Sequence, residues 1–374
     1  MTTPLQALRP APPTRIAGCQ PLVSVIVPVR NEERHIAACL ESILAQDYPA
    51  ERVEVLVVDG RSIDDTRSIV AGFARRDRRV RLFDNPGQWV AAGLNIGIRA
   101  AAGEVIARVD GHTVLEPDYV SSCVRYLEET GADNVGGMMR PASASYLGRA
   151  IGLATSSPFA AGDARFRYSQ RAGFVDTVYL GAFRRAVFDR VGGFDERLAR
   201  NQDYELNFRL RQAGGRIFYT PAIRSWYYGR ESLRGLWRQY FDYGRWKAVV
   251  IRRAPRSARP RQLVAPALVA SVVGLAVAAL TPTPSHPRTG GKRLPALLLA
   301  AVGGSYLAAS LLASIVVAAR RGWRYLPALP AAYAVVHVAW GLGFWRGLMA
   351  GTGKADNSLT GVRKSSRIYT HVDN

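Results

Sequence analysis

Asp110 and His112 stand two residues apart in Asp110–Gly111–His112, at the end of the β-prone run 105–109. A half-apolar strand followed by a turn puts both at a strand's carboxyl end, where open α/β sheets collect ligands. Asp offers a hard oxygen and neutral His a nitrogen, so the pair suits a divalent cation. The Gly between them lets a diphosphate come close to the backbone. Asp59 ends the run 53–58, where a carboxylate can accept hydrogen bonds from a base N–H or a ribose hydroxyl, or cap a turn. Arg30 can counter a phosphate or pair with Glu32 or Glu33. Asp203 heads a helical stretch carrying Leu206 and Leu210. It is either a favourable charge at a helix N-terminus or a general base mounted on a rigid element.

Positioning these groups requires alternating elements. Residues 22–27 read as a strand, and Asn31 can cap the helix whose apolar face is Ile36, Leu40, Ile43 and Leu44. The second strand, 53–58, leads to a helix with Ile69, Val70 and Phe73, for which Ser62 and Asp65 have capping-box spacing. A short strand at 80–83 and a helix at 89–101 precede the strand that ends at Asp110. This alternation predicts an α/β fold with a mostly parallel sheet. No G-x-G-x-x-G follows the first strand, which argues against a dehydrogenase. Further on, 134–139 and 174–180 read as β, 143–158 as helical, 160–173 as an Arg- and Gly-rich loop, and 216–220 as a strand.

The order of these pieces resembles the family 2 glycosyltransferases, and more closely their membrane-bound bacterial members. The matching stretches are VSVIVPVRNEERHI (23–36), VEVLVVDGRSIDDT (53–66), GLNIGIRAAAGEVIARVDGH (93–112), GAFRRAVFDRVGGFDE (181–196) and NQDYELNFRLRQAGG (201–215). The resemblance covers residues 20–250. It implies a GT-A nucleotide-sugar-binding domain that inverts the anomeric centre. It also implies nucleotide contacts at Pro28, Arg30, Glu32 and Asp59, a metal motif at Asp110 and His112, and a catalytic base at Asp203. Two departures stand out. His112 replaces the second Asp of Asp-x-Asp, which leaves the choice between Mg²⁺ and Mn²⁺ open. Gln202 replaces the Glu before the base.

The 374 residues carry a formal charge of +21. Such a balance suits nucleic acid or an anionic lipid surface, and no nucleic-acid motif accompanies it. Cys19, Cys39 and Cys123 form no CxxC or zinc pattern. Residues 1–20 read as a flexible leader without a signal peptide, so the catalytic domain, 21–225, is expected in the cytoplasm. From 226 to 261 aromatic residues alternate with Arg at near-helical spacing, the pattern of an interfacial helix. Gln239, Arg245 and Trp246 there are acceptor-side candidates, similar to a Gln-x-x-Arg-Trp motif at wider spacing. Apolar stretches at 263–280, 294–319 and 325–344 predict about three transmembrane helices, followed by a disordered tail from 349. The basic patch before the first span favours a cytoplasmic catalytic domain, yet Arg346, Lys354, Arg363 and Lys364 favour the same side for the tail. An odd number of spans contradicts that.

The leading expectation is a multi-pass inner-membrane glycosyltransferase. It moves a sugar from a nucleotide-sugar to a lipid-linked acceptor on a surface of anionic lipid, in polysaccharide or glycolipid synthesis. A processive synthase, for which three spans are few unless the protein forms a homo-oligomer, and a catalytically silent subunit of an export complex are the alternatives.

Overall fold

Every residue of β1 (Val23–Val29) is buried, as expected of a strand covered on both faces. The computed structural model describes residues 20–281 and 293–350. Strands β2 (Val53–Asp59), β3 (Val80–Asp84) and β4 (Val105–Arg108) join β1 in parallel, through helices α1 (Ile36–Leu44), α2 (Thr66–Arg76) and α3 (Val90–Ala100). There follow β5 (Thr113–Leu115), α4 (Tyr119–Thr130), β6 (Asn134–Ala142), α5 (Tyr146–Thr155), α6 (Pro158–Ala161), β7 (Gly173–Phe174), β8 (Tyr179–Arg184), α7 (Ala186–Val191), α8 (Gln202–Gln212) and β9 (Ile217–Tyr228). One sheet results, in the order β3-β2-β1-β4-β8-β6-β9-β5, with β7 on β9.

The sheet is mixed rather than mostly parallel. β8 runs antiparallel to both β4 and β6, and β5 and β7 antiparallel to β9. Strand–helix–strand crossovers impose parallel neighbours in the first half. β8 instead enters from the 162–178 loop, so nothing requires it to run with β4. Alternation along β1 divides the core: Val25 and Val27 face α1 and α4, and Ile26 faces α3 and α8. β9 continues through Trp226, Tyr227 and Tyr228, past the end expected at Thr220.

Two expected helix starts are displaced. α1 begins after His35 and α2 after Asp65, so neither Asn31 nor Ser62 is a cap. Their polar atoms are used between the two loops instead. The Asn31 N–H donates to Ser62 Oγ (2.9 Å), and the Ile63 N–H donates to Asn31 Oδ1 (3.0 Å).

The last four described helices are α9 (Leu233–Arg253), α10 (Pro260–Leu280), α11 (Arg293–Arg321) and α12 (Leu329–Met349). Among the described residues α10 and α11 are long and apolar enough to cross a membrane. The third expected span, 325–344, belongs largely to α12, and it packs in parallel on α9. A Cβ at Gly244, Gly343 or Gly347 would lie 2.0–2.3 Å from a carbonyl oxygen of the facing helix. Small residues allow this backbone approach. Pro266 inside α10 has no N–H for the Gln262 carbonyl, and the Trp340 indole of α12 donates to that carbonyl (3.2 Å). The basic patch is mostly committed within the protein. Arg252 bonds the Leu348 and Ala350 carbonyls, Arg253 meets Asp195, Arg259 meets Asp176, and Arg261 meets Asp163 and Asp176. The buried thiols Cys39 and Cys123 are free. Cys19, Lys354, Arg363, Lys364, nearly all of the expected leader and most of the expected tail lie outside the described residues.

Candidate active site

Parallel register brings Val29, Asp59 and Asp84 abreast at the carboxyl edge of the sheet. Pro28 is buried beside Val58, and Arg30 is exposed just past the edge. Asp59 is 1% exposed and accepts from Ser62 Oγ (2.5 Å) and Arg67 (3.3 Å). Arg67 also reaches Asp84 (2.5 Å), so the carboxylate is held in one orientation at the strand's end.

Asp110 follows β4 directly. Arg108 donates to its Oδ1 from Nε (3.0 Å) and Nη2 (2.9 Å). Burial works to raise the Asp110 carboxyl, and Arg108, His112 and Arg200 outweigh it, so its pKa lies below the ordinary value. Nδ1 of His112 faces Glu32 Oε1 at 2.8 Å. Burial works to lower the imidazole, and the Glu32 bond more than reverses that, raising its pKa. With Nδ1 held by a carboxylate, Nε2 is the nitrogen left for a ligand. Gly111 has a different use from the one expected. A Cβ there would lie 2.8 Å from Val29 Cγ1 and 3.3 Å from Glu32 Cγ, so the glycine permits packing against β1 rather than an open approach for a diphosphate.

Asp110 and His112 fit a divalent cation that shares its remaining positions with substrate oxygens and water. Mg²⁺ is held in this way, by one or two carboxylates plus phosphates. Among the described residues no group of three His, Cys, Asp or Glu side chains forms a cage for an ion.

Asp203 lies in the first turn of α8, half-buried, and accepts the Tyr204 N–H at 2.8 Å. No arginine or lysine among the described residues forms an ion pair with it. Arg108 senses it nonetheless. Burial works to lower the Arg108 guanidinium, and Asp110 and Asp203 together raise it above its ordinary value. Two neighbouring carboxylates are occupied: Glu205 by Arg209 (2.6 Å), and Asp195 by Arg197 (2.9 Å) and Arg253 (3.3 Å). Asn201 precedes α8 in the left-handed region (φ 62°) and donates to the Tyr243 carbonyl (3.1 Å), which fastens the helix head to α9. Beneath it, the buried Lys247 ammonium lies 3.1 Å from the centre of the Tyr204 ring.

The acceptor-side candidates separate. Gln239 donates to the hydroxyls of Tyr227 (3.2 Å) and Tyr243 (3.1 Å), and the Tyr227 ring lies edge-on to His112 with centroids 5.2 Å apart. Trp246 packs with Leu198, Tyr204 and Val250 below α8. Arg245 acts electrostatically on Asp242 of the same helix. Sequence reasoning missed Arg108, Tyr179, Tyr227 and Lys247. A charged residue inside the apolar run 105–109 was the available signal for Arg108; the others converge only through the fold.

The mixed sheet, with carboxylates gathered at its carboxyl edge, is that of a GT-A fold. The model of glycosyl transferase family 2 matches residues 24–192. The chain is 30% identical over 327 residues to the succinoglycan biosynthesis protein ExoA of Rhizobium meliloti (strain 1021), covering 87% of this chain and 94% of that protein. It is 28% identical over 239 residues to a dolichyl N-acetyl-α-D-glucosaminyl phosphate 3-β-D-2,3-diacetamido-2,3-dideoxy-β-D-glucuronosyltransferase of Methanococcus voltae, covering 62% of this chain and 74% of that one. The mannosyltransferase PcManGT of Pyrobaculum calidifontis, solved with GDP-Man and Mn²⁺, shares the fold, with a TM-score of 0.59 at 23% identity over 85% of this chain and 88% of that one. The chain belongs to glycosyltransferase family 2.

Proposed function

We propose that the protein is an inverting glycosyltransferase. It transfers a sugar from a nucleotide-sugar to a lipid-linked acceptor at the cytoplasmic face of the inner membrane, in polysaccharide or glycolipid synthesis. The observation that carries this reading is the placement of two carboxylates, Asp110 just past the end of β4 and bound by Arg108, and Asp203 in the first turn of α8. One serves the donor side and the other the acceptor side. Asp203, which carries no ion pair among the described residues, argues against a silent subunit.

Asp59, with Pro28, Arg30 and Glu32 around it, binds the nucleotide. Asp110 and His112 would hold Mg²⁺ or Mn²⁺, which supplies positive charge against the diphosphate as it leaves. PcManGT, with GDP-Man and Mn²⁺, supports that pairing of ligand and ion. Asp203 takes the proton from an acceptor hydroxyl within about 3 Å as the hydroxyl oxygen attacks the anomeric carbon. The bond from that carbon to the diphosphate breaks on the opposite sugar face, so configuration inverts. Arg108 holds the Asp110 carboxyl below its ordinary pKa, which keeps that group ionised and hence acceptor-only near neutral pH.

Membrane attachment is supported by α10 and α11, with mean hydropathies of 2.5 and 1.9. Two spans form a hairpin, and α12 returns to pack on α9. The catalytic domain and Arg346 then lie on one side, without the conflict that three spans create. Arg256, the one arginine of the patch without a partner among the described residues, is left for anionic lipid. An enzyme that uses a soluble donor needs spans only when its other substrate or its product lives in lipid. The test is a screen of nucleotide-sugars against the full chain in nanodiscs, with and without lipid extract, scored by released nucleotide. Lipid-stimulated release from one donor supports the reading, and no release from any donor contradicts it.

A further inference from the structure

Lys247 lies within α9 and is 3% exposed, and no hydrogen bond or ion pair among the described residues holds its ammonium. Nζ sits over the face of the Tyr204 ring, 3.1 Å from its centre. Other cations drawn into this part of the chain are matched. Arg108 has Asp110, Arg184 has the backbone carbonyls of Ala132 and Leu127, and Arg261 has Asp163 and Asp176. A buried ammonium without hydrogen bonds is costly, and a ring face offsets only part of that. An apolar side chain of the same length would serve packing better. The charge therefore has a use beyond filling space.

Tyr204 connects that charge to the site. Its backbone N–H donates to Asp203 Oδ1 (2.8 Å). Its hydroxyl donates to the Ser257 carbonyl (2.5 Å), in the short turn Pro255–Ser257 between α9 and α10. Its ring packs with Leu198, Trp246 and Val250. The head of α8 has no side-chain cap of its own, so its first turn depends on contacts from outside the helix. α9 supplies them from two positions one helical turn apart. The Tyr243 carbonyl accepts from Asn201 (3.1 Å), and Lys247 sits on Tyr204. The charged groups acting on Lys247 are Asp203 of α8, Asp176 of the loop before β8 and Arg261 of α10. Asp176 is already bound by Arg261 (2.8 Å).

We infer that Lys247 is a positioning residue: its ammonium, seated on the Tyr204 ring, holds the Tyr204 amide and with it the Asp203 carboxylate in the orientation that takes a proton from the acceptor. This rests on Asp203 as the general base proposed above. Lys247 touches neither substrate. It acts on the proton-transfer step and leaves the nucleotide edge, at Asp59 and Arg67, unaffected.

The test uses the full chain in nanodiscs with lipid extract. Turnover is measured with the nucleotide-sugar that gives the largest release in the screen above, and binding with UDP and GDP. Lys247→Met should lose roughly ten- to hundredfold in kcat, as misplaced catalytic groups do. Its donor KM and nucleotide affinity should be unchanged, which also shows that the variant is folded. The loss should be largest below about pH 7, where the ammonium is charged, and shrink above it. Tyr204→Leu, which removes the ring and keeps the ammonium, should reproduce the loss. In an Asp203→Asn background Lys247→Met should cost nothing further. Normal turnover in Lys247→Met, a loss that does not change with pH, a loss of nucleotide affinity, or an equal loss in both backgrounds would overturn the inference and leave Asp203 as the base. An Asp203→Asn enzyme within a few-fold of normal rate would instead overturn the base, and the positioning role with it.

Discussion

Nδ1 of His112 lies 2.8 Å from Oε1 of Glu32, a residue 80 positions earlier in the chain. The contact ties the loop after β1 to the turn after β4 and leaves Nε2 as the imidazole nitrogen open to a ligand. Replacing Glu32 by Gln keeps the shape and removes the anion. Mn²⁺ affinity in the presence of the nucleoside diphosphate should fall about 10–100-fold, as for other outer partners of metal-binding histidines. Electron paramagnetic resonance titration of Mn²⁺ reads this directly, and unchanged affinity would remove His112 from the ion's ligands.

Asp59 is held by Ser62 and Arg67 at the carboxyl edge of the sheet. Asp59→Asn should raise the donor KM at least tenfold and leave kcat within a few-fold. A large loss of kcat at unchanged KM would move Asp59 into the chemistry.

Much of this edge is legible in sequence. Asp59, Asp110 and Asp203 each end an apolar run or head an amphipathic helix, and local periodicity reveals such positions. What depends on pairing across long separations is not legible. β8 enters antiparallel between β4 and β6, and Asn31 and Ser62 bond across two loops instead of capping helices. The packing of the third apolar stretch is likewise not legible. Hydropathy reads 325–344 as a span, whereas Gly341, Gly343 and Gly347 are the small residues that let α12 approach α9 and α10 at backbone distance.

Trp340 and Pro266 give a test of that packing. The indole supplies the hydrogen bond that Pro266 cannot give to the Gln262 carbonyl. Trp340→Phe should cost about 1–3 kcal/mol by leaving the carbonyl unsatisfied. In a Pro266→Ala background the alanine N–H takes over, and the cost should shrink. Equal losses in both backgrounds, measured as a double-mutant cycle on thermal stability, would deny the coupling.

Lys247 makes stability depend on pH. Burial pushes its pKa down from 10.5 to about 7, with Asp203 acting in the opposite direction. Between those values the unfolded chain holds a proton on Lys247 that the folded chain does not, so its contribution to stability rises with pH from about 7 to 10.5 and is flat below. Melting temperatures of Lys247→Met should lack that rise relative to the unmodified protein. Parallel pH profiles for the two would show that the ammonium is not desolvated.

The proposed role of Asp203 as general base is tested most directly by turnover measured beside nucleotide-sugar affinity, for Asp203→Asn and Glu205→Gln. Glu205 is bound by Arg209, whereas Asp203 carries no ion pair among the described residues. Asp203→Asn should lose roughly 10²–10⁴-fold in rate with donor affinity nearly unchanged, and Glu205→Gln should remain active if α8 stays folded. An Asp203→Asn enzyme within a few-fold of normal rate would contradict the single displacement proposed for this site.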